Sequence, residues 1–415
     1  MTQAETLVES RYAWARLCAA LALMTIGGSG MYAITVVLPR VQADFGVDRA
    51  DASLPYTFTM IGFGLGGILM GRLSDRFGVM VPVIIGALGL AAGFVAAGSA
   101  GSLWQFNLAQ GLLIGLLGTS ATFAPLVADI SLWFTRRRGI AVAICISGNY
   151  LAGTVWPPVM QHFIEGAGWR QTYIGIGVFC LLSMLPLSLV LRRRPPLPEL
   201  PAAGSQTSVA GSAATLGLSP GTLQTLLCVA GVACCVAMSM PQVHIVAYCG
   251  DLGYGPARGA EMLSLMLGFG IVSRLTFGWI SDHIGGLRTL LLGSVLQMIA
   301  LALFLPFKGL VSLYLVSALF GLFQGGIVPA YALIVREHFT PREAGARVGT
   351  VLMATLFGMA LGGWMSGAIF DLTGSYRAAF VNGIAWNLLN IGIVVALLCR
   401  LRARGLCRVG RPAAL

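Results

Sequence analysis

Arg274 stands eight residues before Asp282 in an otherwise apolar run. On a helix that is about 12 Å from the nearest charges, so in a membrane span it lies close to mid-bilayer. A lone arginine there costs about 3 kcal/mol on insertion scales and roughly 10 or more in simulations of isolated helices. It must face an aqueous cavity or an anion. The planar guanidinium fork grips a carboxylate through paired hydrogen bonds, so the chemistry on offer is recognition of an organic anion. The competing reading is a structural arginine satisfied by helix carbonyls or an internal carboxylate, and no acid lies deep in the apolar runs. His244, in MPQVHIVAY from Met240 to Tyr248, is the second candidate. Pro241 can kink its helix and expose carbonyls. The imidazole would then take up a proton as substrate binds, or donate to the substrate with Tyr248 beside it. It could equally fill a hydrogen-bond gap at the helix break. His162, His283 and His338 fall at run boundaries and read as solvated.

The elements that must hold these residues follow from composition. Of 415 residues, 57% are hydrophobic and 10% charged, with a mean hydropathy of +0.84. Soluble domains carry about 25% charged residues, so a water-soluble enzyme, a disordered chain and a disulfide scaffold are excluded. A bilayer core of about 30 Å needs roughly 20 apolar residues per helix. Twelve such runs occur: 15–38, 54–72, 79–98, 103–131, 139–163, 172–191, 222–248, 260–280, 288–306, 311–334, 346–370 and 379–399. The first is too long for a signal-peptide core and lacks a convincing cleavage site. The longest break, 192–221, opens RRRPP and continues rich in Ala, Gly, Ser and Thr, which is the composition of a linker. The expected organisation is an N-terminal six-helix bundle (1–191), a cytoplasmic linker (192–221) and a C-terminal six-helix bundle (222–415).

The two halves repeat. GRLSDRFG from Gly71 recurs as GWISDHIG from Gly278, at an offset of 207 residues. Trp169-Arg170 recurs at the same offset as Tyr376-Arg377, and Phe134-Thr135 at 205 as Phe339-Thr340. With a two-residue insertion after Thr340 restoring the offset to 207, three matches in one frame mark a duplicated six-helix unit. The net charge of +11 would suggest nucleic acid in a soluble protein, but the basic residues sit at run ends with no interleaved aromatics. With the N-terminus and linker on one side, that side holds 19 of 26 basic residues and the other holds 6, leaving Arg274. The excess marks the cytoplasmic face, predicting a multi-pass inner-membrane protein with both termini inside.

The loop Gly71-x-Leu73-x-Asp75-Arg76-x-Gly78 resembles the signature of the major facilitator superfamily, although Val79 and Met80 replace the basic pair that usually follows. WFTRRRGIA from Trp133, leading into Ser147-Gly148-Asn149, and the stretch from Gly268 through Arg274 to Gly278 are similar to signatures of monocarboxylate porters. The resemblance implies an all-α integral membrane fold of twelve transmembrane helices in two pseudo-symmetric bundles. These would rock about a central site in alternating access, with Arg274 as the substrate-binding arginine. It also implies symport with protons, yet where many such porters carry an aspartate one turn before the arginine this chain has Gly270, so the usual coupling pair is missing.

By the same resemblance Asp75 caps the eleventh helix, while Gly71, Arg76 and Asp129 complete an inner latch that Asp282 repeats in the second half, with His283 in place of the arginine. Tyr32, Thr119, Ser120, Thr122, Asn149, Tyr150, Gln324 and Tyr331 lie on helices that line the superfamily's cavity; each either hydrogen-bonds a carboxylate or bridges helices. Gly62-x-Gly64-x-x-Gly67 matches a dinucleotide pattern but lies in a span without βαβ context. No Walker sequence, metal-ligand spacing or catalytic triad is present, so the expectation is a carrier with no cofactor rather than an enzyme. Its expected partners are a small organic anion, protons and the lipid bilayer, with no nucleic acid, and it would work as a monomer. An oxalate/formate-type exchanger, an efflux carrier for amphipathic compounds and a non-transporting sensor are the alternatives.

Overall fold

In hydrocarbon every backbone N–H and C=O must be paired, which a helix does within its own segment. Uninterrupted apolar runs of roughly 20 residues fit a spanning helix and not a strand of about 9–11. The computed structural model describes residues 9–134, 136–193 and 218–403, without the side chains of Arg138, Pro341 and Arg342. Among the described residues twelve helices are long and apolar enough to cross a membrane. They are α1 (Arg11–Phe45), α2 (Arg49–Phe77), α3 (Met80–Gly98), α4 (Leu103–Trp133), α5 (Gly139–Ala167), α6 (Trp169–Leu189), α7 (Pro220–Asp251), α8 (Pro256–Ile284), α9 (Gly286–Leu303), α10 (Leu310–His338), α11 (Glu343–Thr373) and α12 (Tyr376–Ala403). Several outrun their predicted apolar stretches, because polar end residues carry the helix on past the hydrocarbon. Most of the proposed linker (194–217) lies outside the described residues, as do Arg194, Arg404, Arg408 and Arg411 of the charge count.

The helix pairings repeat as the sequence repeat requires. In the first half α1 packs on α5, α2 on α4 and α3 on α6; in the second, α7 packs on α11, α8 on α10 and α9 on α12. The two signature loops also share a backbone. Gly78 and Gly285 take φ values of 87° and 81°, a region that costs a Cβ-bearing residue energy and glycine nothing.

Hydrogen bonds identify two sides. Tyr12 donates to the Val190 carbonyl and Gln224 to that of Arg347 on the side where the linker begins and ends. Arg170 pairs with Asp44 on the far side. Across the halves α2 packs on α11, α5 on α8, and α1 on α7. These contacts run from the centre to the far side: Gly64 against Met353, Thr57 donating to the Ala360 carbonyl at 2.9 Å, and Gly367 against the Arg49 and Ala50 backbone. The linker-side segments of α4 (Ala124–Trp133) and α10 (Ile327–His338) pack substantially only within their own bundles. The halves are therefore closed on the far side and part toward the linker side.

Three helices break near the centre. α1 is interrupted at Gly28, α4 at Thr122–Phe123 after a π-helical stretch (Ala109–Thr119), and α10 at Gly325–Gly326. The breaks in α4 and α10 fall within two residues of corresponding positions in the repeat. Broken backbone at this depth is tolerated only where it is buried in protein or lines a cavity.

Candidate functional site

Arg274 projects from α8 at the level where the two halves part. Its guanidinium stacks over the Tyr150 ring of α5, 4.4 Å from the centroid, and Nε makes a long 3.5 Å bond to the Gly325 carbonyl in the α10 break. Among the described residues Nη1 and Nη2 have no hydrogen-bond partner and no carboxylate faces them. Tyr32 of α1 lies close enough to interact electrostatically with both Arg274 and Tyr150, and Tyr56 of α2 with Tyr32. Gly270 is what admits Tyr150. A Cβ there would sit 2.4 Å from the ring's Cε1, closer than any real contact.

The other centre-facing candidates divide. Gln324 is fully buried at the α10 break, accepts from Gln242 at 2.9 Å and leaves its Nε2 unpaired among the described residues. Asn149 is half-buried with Oδ1 3.6 Å from where a Gly28 Cβ would lie. Tyr331 is instead sealed inside the second bundle. It donates to Asn390 at 2.9 Å in a network with Ser294 and Asn387, so it bridges helices.

His244 sits away from the central cavity. Pro241 leaves α7 a continuous helix, and no break exposes the imidazole, which is fully buried. Nε2 lies 2.8 Å from the Gly363 carbonyl and Nδ1 3.0 Å from the Tyr376 hydroxyl. A carbonyl only accepts, so Nε2 carries the proton and, in the neutral ring, Nδ1 accepts from Tyr376. The Tyr376 oxygen accepts in turn from Arg49 at 2.6 Å. Arg49 also forks onto Asp251 (2.9 and 3.3 Å) and donates to Gln42 at 2.7 Å. Asp371 closes the assembly, its two oxygens accepting the N–H groups of Arg49 and Ala50 at the start of α2. This far-side latch joins α1 and α2 to α7, α11 and α12. Tyr248 belongs here as well, edge-on to Tyr376 in a small pocket of about 170 Å³.

The linker-side latch is not assembled. Asp75, Arg76 and Asp282 are exposed, Gly71 has open space around it, and Arg76 lies over Phe77. Asp129 is turned away, buried against Arg16 in a bidentate pair (2.6 and 2.8 Å). Arg16 further donates to the Arg193 carbonyl and stacks on Trp133, tying α1, α4 and the end of α6 together. His338 is buried rather than solvated, its Nδ1 3.0 Å from the Ile334 carbonyl.

A model of the Major Facilitator Superfamily matches residues 18–313 and 227–406. The chain belongs to that superfamily. Monocarboxylate transporter 13 of Rattus norvegicus is 30% identical over 360 residues, covering 83% of this chain and 78% of the rat protein. The Bos taurus protein of the same name is 31% identical over 331 residues, covering 78% and 75%. Among solved structures, a bacterial homologue of the human lysosomal transporter Spinster, inward-facing and unoccupied, superposes with a TM-score of 0.69 at 16% identity, covering 97% of this chain and 99% of that one. A peptide transporter, POT, gives 0.71 at 14% identity, covering 93% and 95%. At such identities these two share the fold alone. This superfamily transporter is thus related in sequence to monocarboxylate transporters.

Sequence reasoning missed the partners of this transporter's charges. Arg49 and Arg16 sit at span starts, where a basic residue reads as a topology marker, and their acids lie 202 and 113 residues away. No local spacing announces such pairs. Tyr56 carried no signal either, since only the packing of α2 beside Gly363 brings it inward.

Proposed function

We propose that the chain is a secondary carrier of small organic anions, monocarboxylates among them, working by alternating access, with Arg274 holding the substrate carboxylate. The observation that carries this is the state of Arg274: mid-span, stacked on Tyr150, its outer nitrogens unpaired among the described residues. A carboxylate there gains a two-pronged, charge-assisted bond. Tyr32, Asn149 and Gln324 would complete the site, and the kinship with monocarboxylate transporters supports the class.

The halves, 1–191 and 222–415, would rock as units on either side of the 192–221 linker. The far-side latch around Arg49, with His244 and Tyr248 built into it, opens as Gly71, Asp75, Arg76 and Asp282 come together on the linker side. Asp129 acts as an anchor for Arg16. The basic excess supports a cytoplasmic linker side with both termini inside, and the carrier would act as a monomer in the inner membrane.

Proteoliposomes containing the purified protein are expected to take up labelled lactate or pyruvate. Arg274→Ala is expected to lower uptake at least a hundredfold while leaving the melting transition intact. Undiminished uptake by that variant would remove the anion site.

A further inference from the structure

Among the described residues the charge of Arg274 has nothing to cancel it. The groups around it, among the described residues, are neutral: the Tyr150 ring under the guanidinium, the Gly325 carbonyl beside Nε, Tyr32 within electrostatic reach, and Ser273 and Gln324 at the α10 break. The deepest acids are engaged elsewhere, Asp129 by Arg16 and Glu261 by Arg258 and Tyr314. His244 spends both ring nitrogens on Gly363 and Tyr376. The position one turn before Arg274 is Gly270, and the Tyr150 ring fills the space in front of it. Among the described residues no titratable carboxylate or imidazole stands where it could supply the counter-charge by changing its protonation.

We infer that this carrier is an obligate exchanger: its two halves change over only while an anion sits on Arg274. In the state described, the halves part toward the linker side, where water can reach the half-buried guanidinium. To change over, they must close around it at an interface that is apolar near the centre, with Met353 and Leu356 against Gly64 and Leu267 against Gly153. A desolvated arginine without a counter-ion is strongly disfavoured, whereas the bound carboxylate turns it into a neutral, hydrogen-bonded pair. At insertion-scale cost the empty carrier reorients on the order of a hundredfold more slowly than the loaded one. One monoanion enters as one leaves, and no net charge moves. This rests on Arg274 being the anion site.

The test preloads proteoliposomes with labelled pyruvate and follows its efflux into buffer with or without unlabelled pyruvate outside. Exchange predicts at least tenfold faster efflux with external pyruvate, at pH 5.5 and at pH 7.5 alike. Equal efflux in both buffers overturns the inference while leaving the anion site standing. No flux of pyruvate or lactate in either arm overturns the anion-carrier reading and the inference with it. A folding-independent second readout uses spin labels at Arg72→Cys and Gly349→Cys, on linker-side ends of opposite halves. Without pyruvate the distance distribution stays in one long population; pyruvate adds a shorter one. Arg274→Gln, lacking the charge, shows both populations without any anion. A wild-type distribution already split in the absence of anion overturns the inference.

Discussion

Gly270, Tyr150 and Arg274 work as one unit. The absence of a side chain at 270 lets an aromatic ring lie flat under the guanidinium, a contact worth about 0.5–2 kcal/mol depending on desolvation. Adding a Cβ forces the ring off that position, and overpacking of this kind costs about 1–3 kcal/mol. Gly270→Ala is therefore expected to lower the melting temperature by several degrees and raise the KM for pyruvate several-fold. Tyr150→Phe keeps the ring and is expected to hold the wild-type melting temperature. Equal melting temperatures for Gly270→Ala and wild type would show that the ring moves freely. Arg274 was legible in the sequence because depth alone makes a charge conspicuous in an apolar run. Its stacking on Tyr150 was not, since a polar residue inside a span looks the same whether it faces a neighbour helix or a cavity.

Two arginines at opposite ends of the helices have opposite jobs, and their settings explain why. Arg16 and Asp129 tie helices of a single bundle and are both buried. Removing one partner strands the other charge in a dry site, at about 3–5 kcal/mol. Arg49 and Asp251 join different bundles, and Asp251 remains over a third exposed, so water can take up what the lost bond releases. Asp129→Ala is expected to lower the melting temperature markedly. Asp251→Ala is expected to leave it within a few degrees while raising far-side labelling of Thr57→Cys by a membrane-impermeant maleimide several-fold. A large thermal loss in Asp251→Ala with unchanged labelling would make the Arg49 assembly a structural brace instead of a latch. His244 shows what an element does to a residue. Proline in a span suggests a break, but α7 runs straight through Pro241, and the imidazole closes onto Gly363 and Tyr376 instead of opening onto the centre.

At the scale of the whole molecule, the duplication was legible from three short matches because equal spacing needs equal helices, and the repeated pairings α2–α4 with α8–α10 follow from it. Which side is closed could not be read the same way. A pseudo-symmetric sequence is compatible with closure at either end, and the choice is made by contacts between halves, such as Asp371 on the start of α2, that no local pattern encodes. The rocking itself makes the last prediction. Thr57 of α2 donates to the Ala360 carbonyl of α11 at 2.9 Å, so cysteines at 57 and 360 lie within reach of a short bifunctional thiol reagent that would hold the far side shut. Linking them is expected to cut uptake at least tenfold, in proportion to the fraction of chains cross-linked. Pyruvate added from the linker side is still expected to raise the melting temperature of the linked protein, because Arg274 stays open to that side. Full uptake by fully linked protein would mean that α2 and α11 stay together throughout the cycle, and that the moving boundary between the halves runs elsewhere.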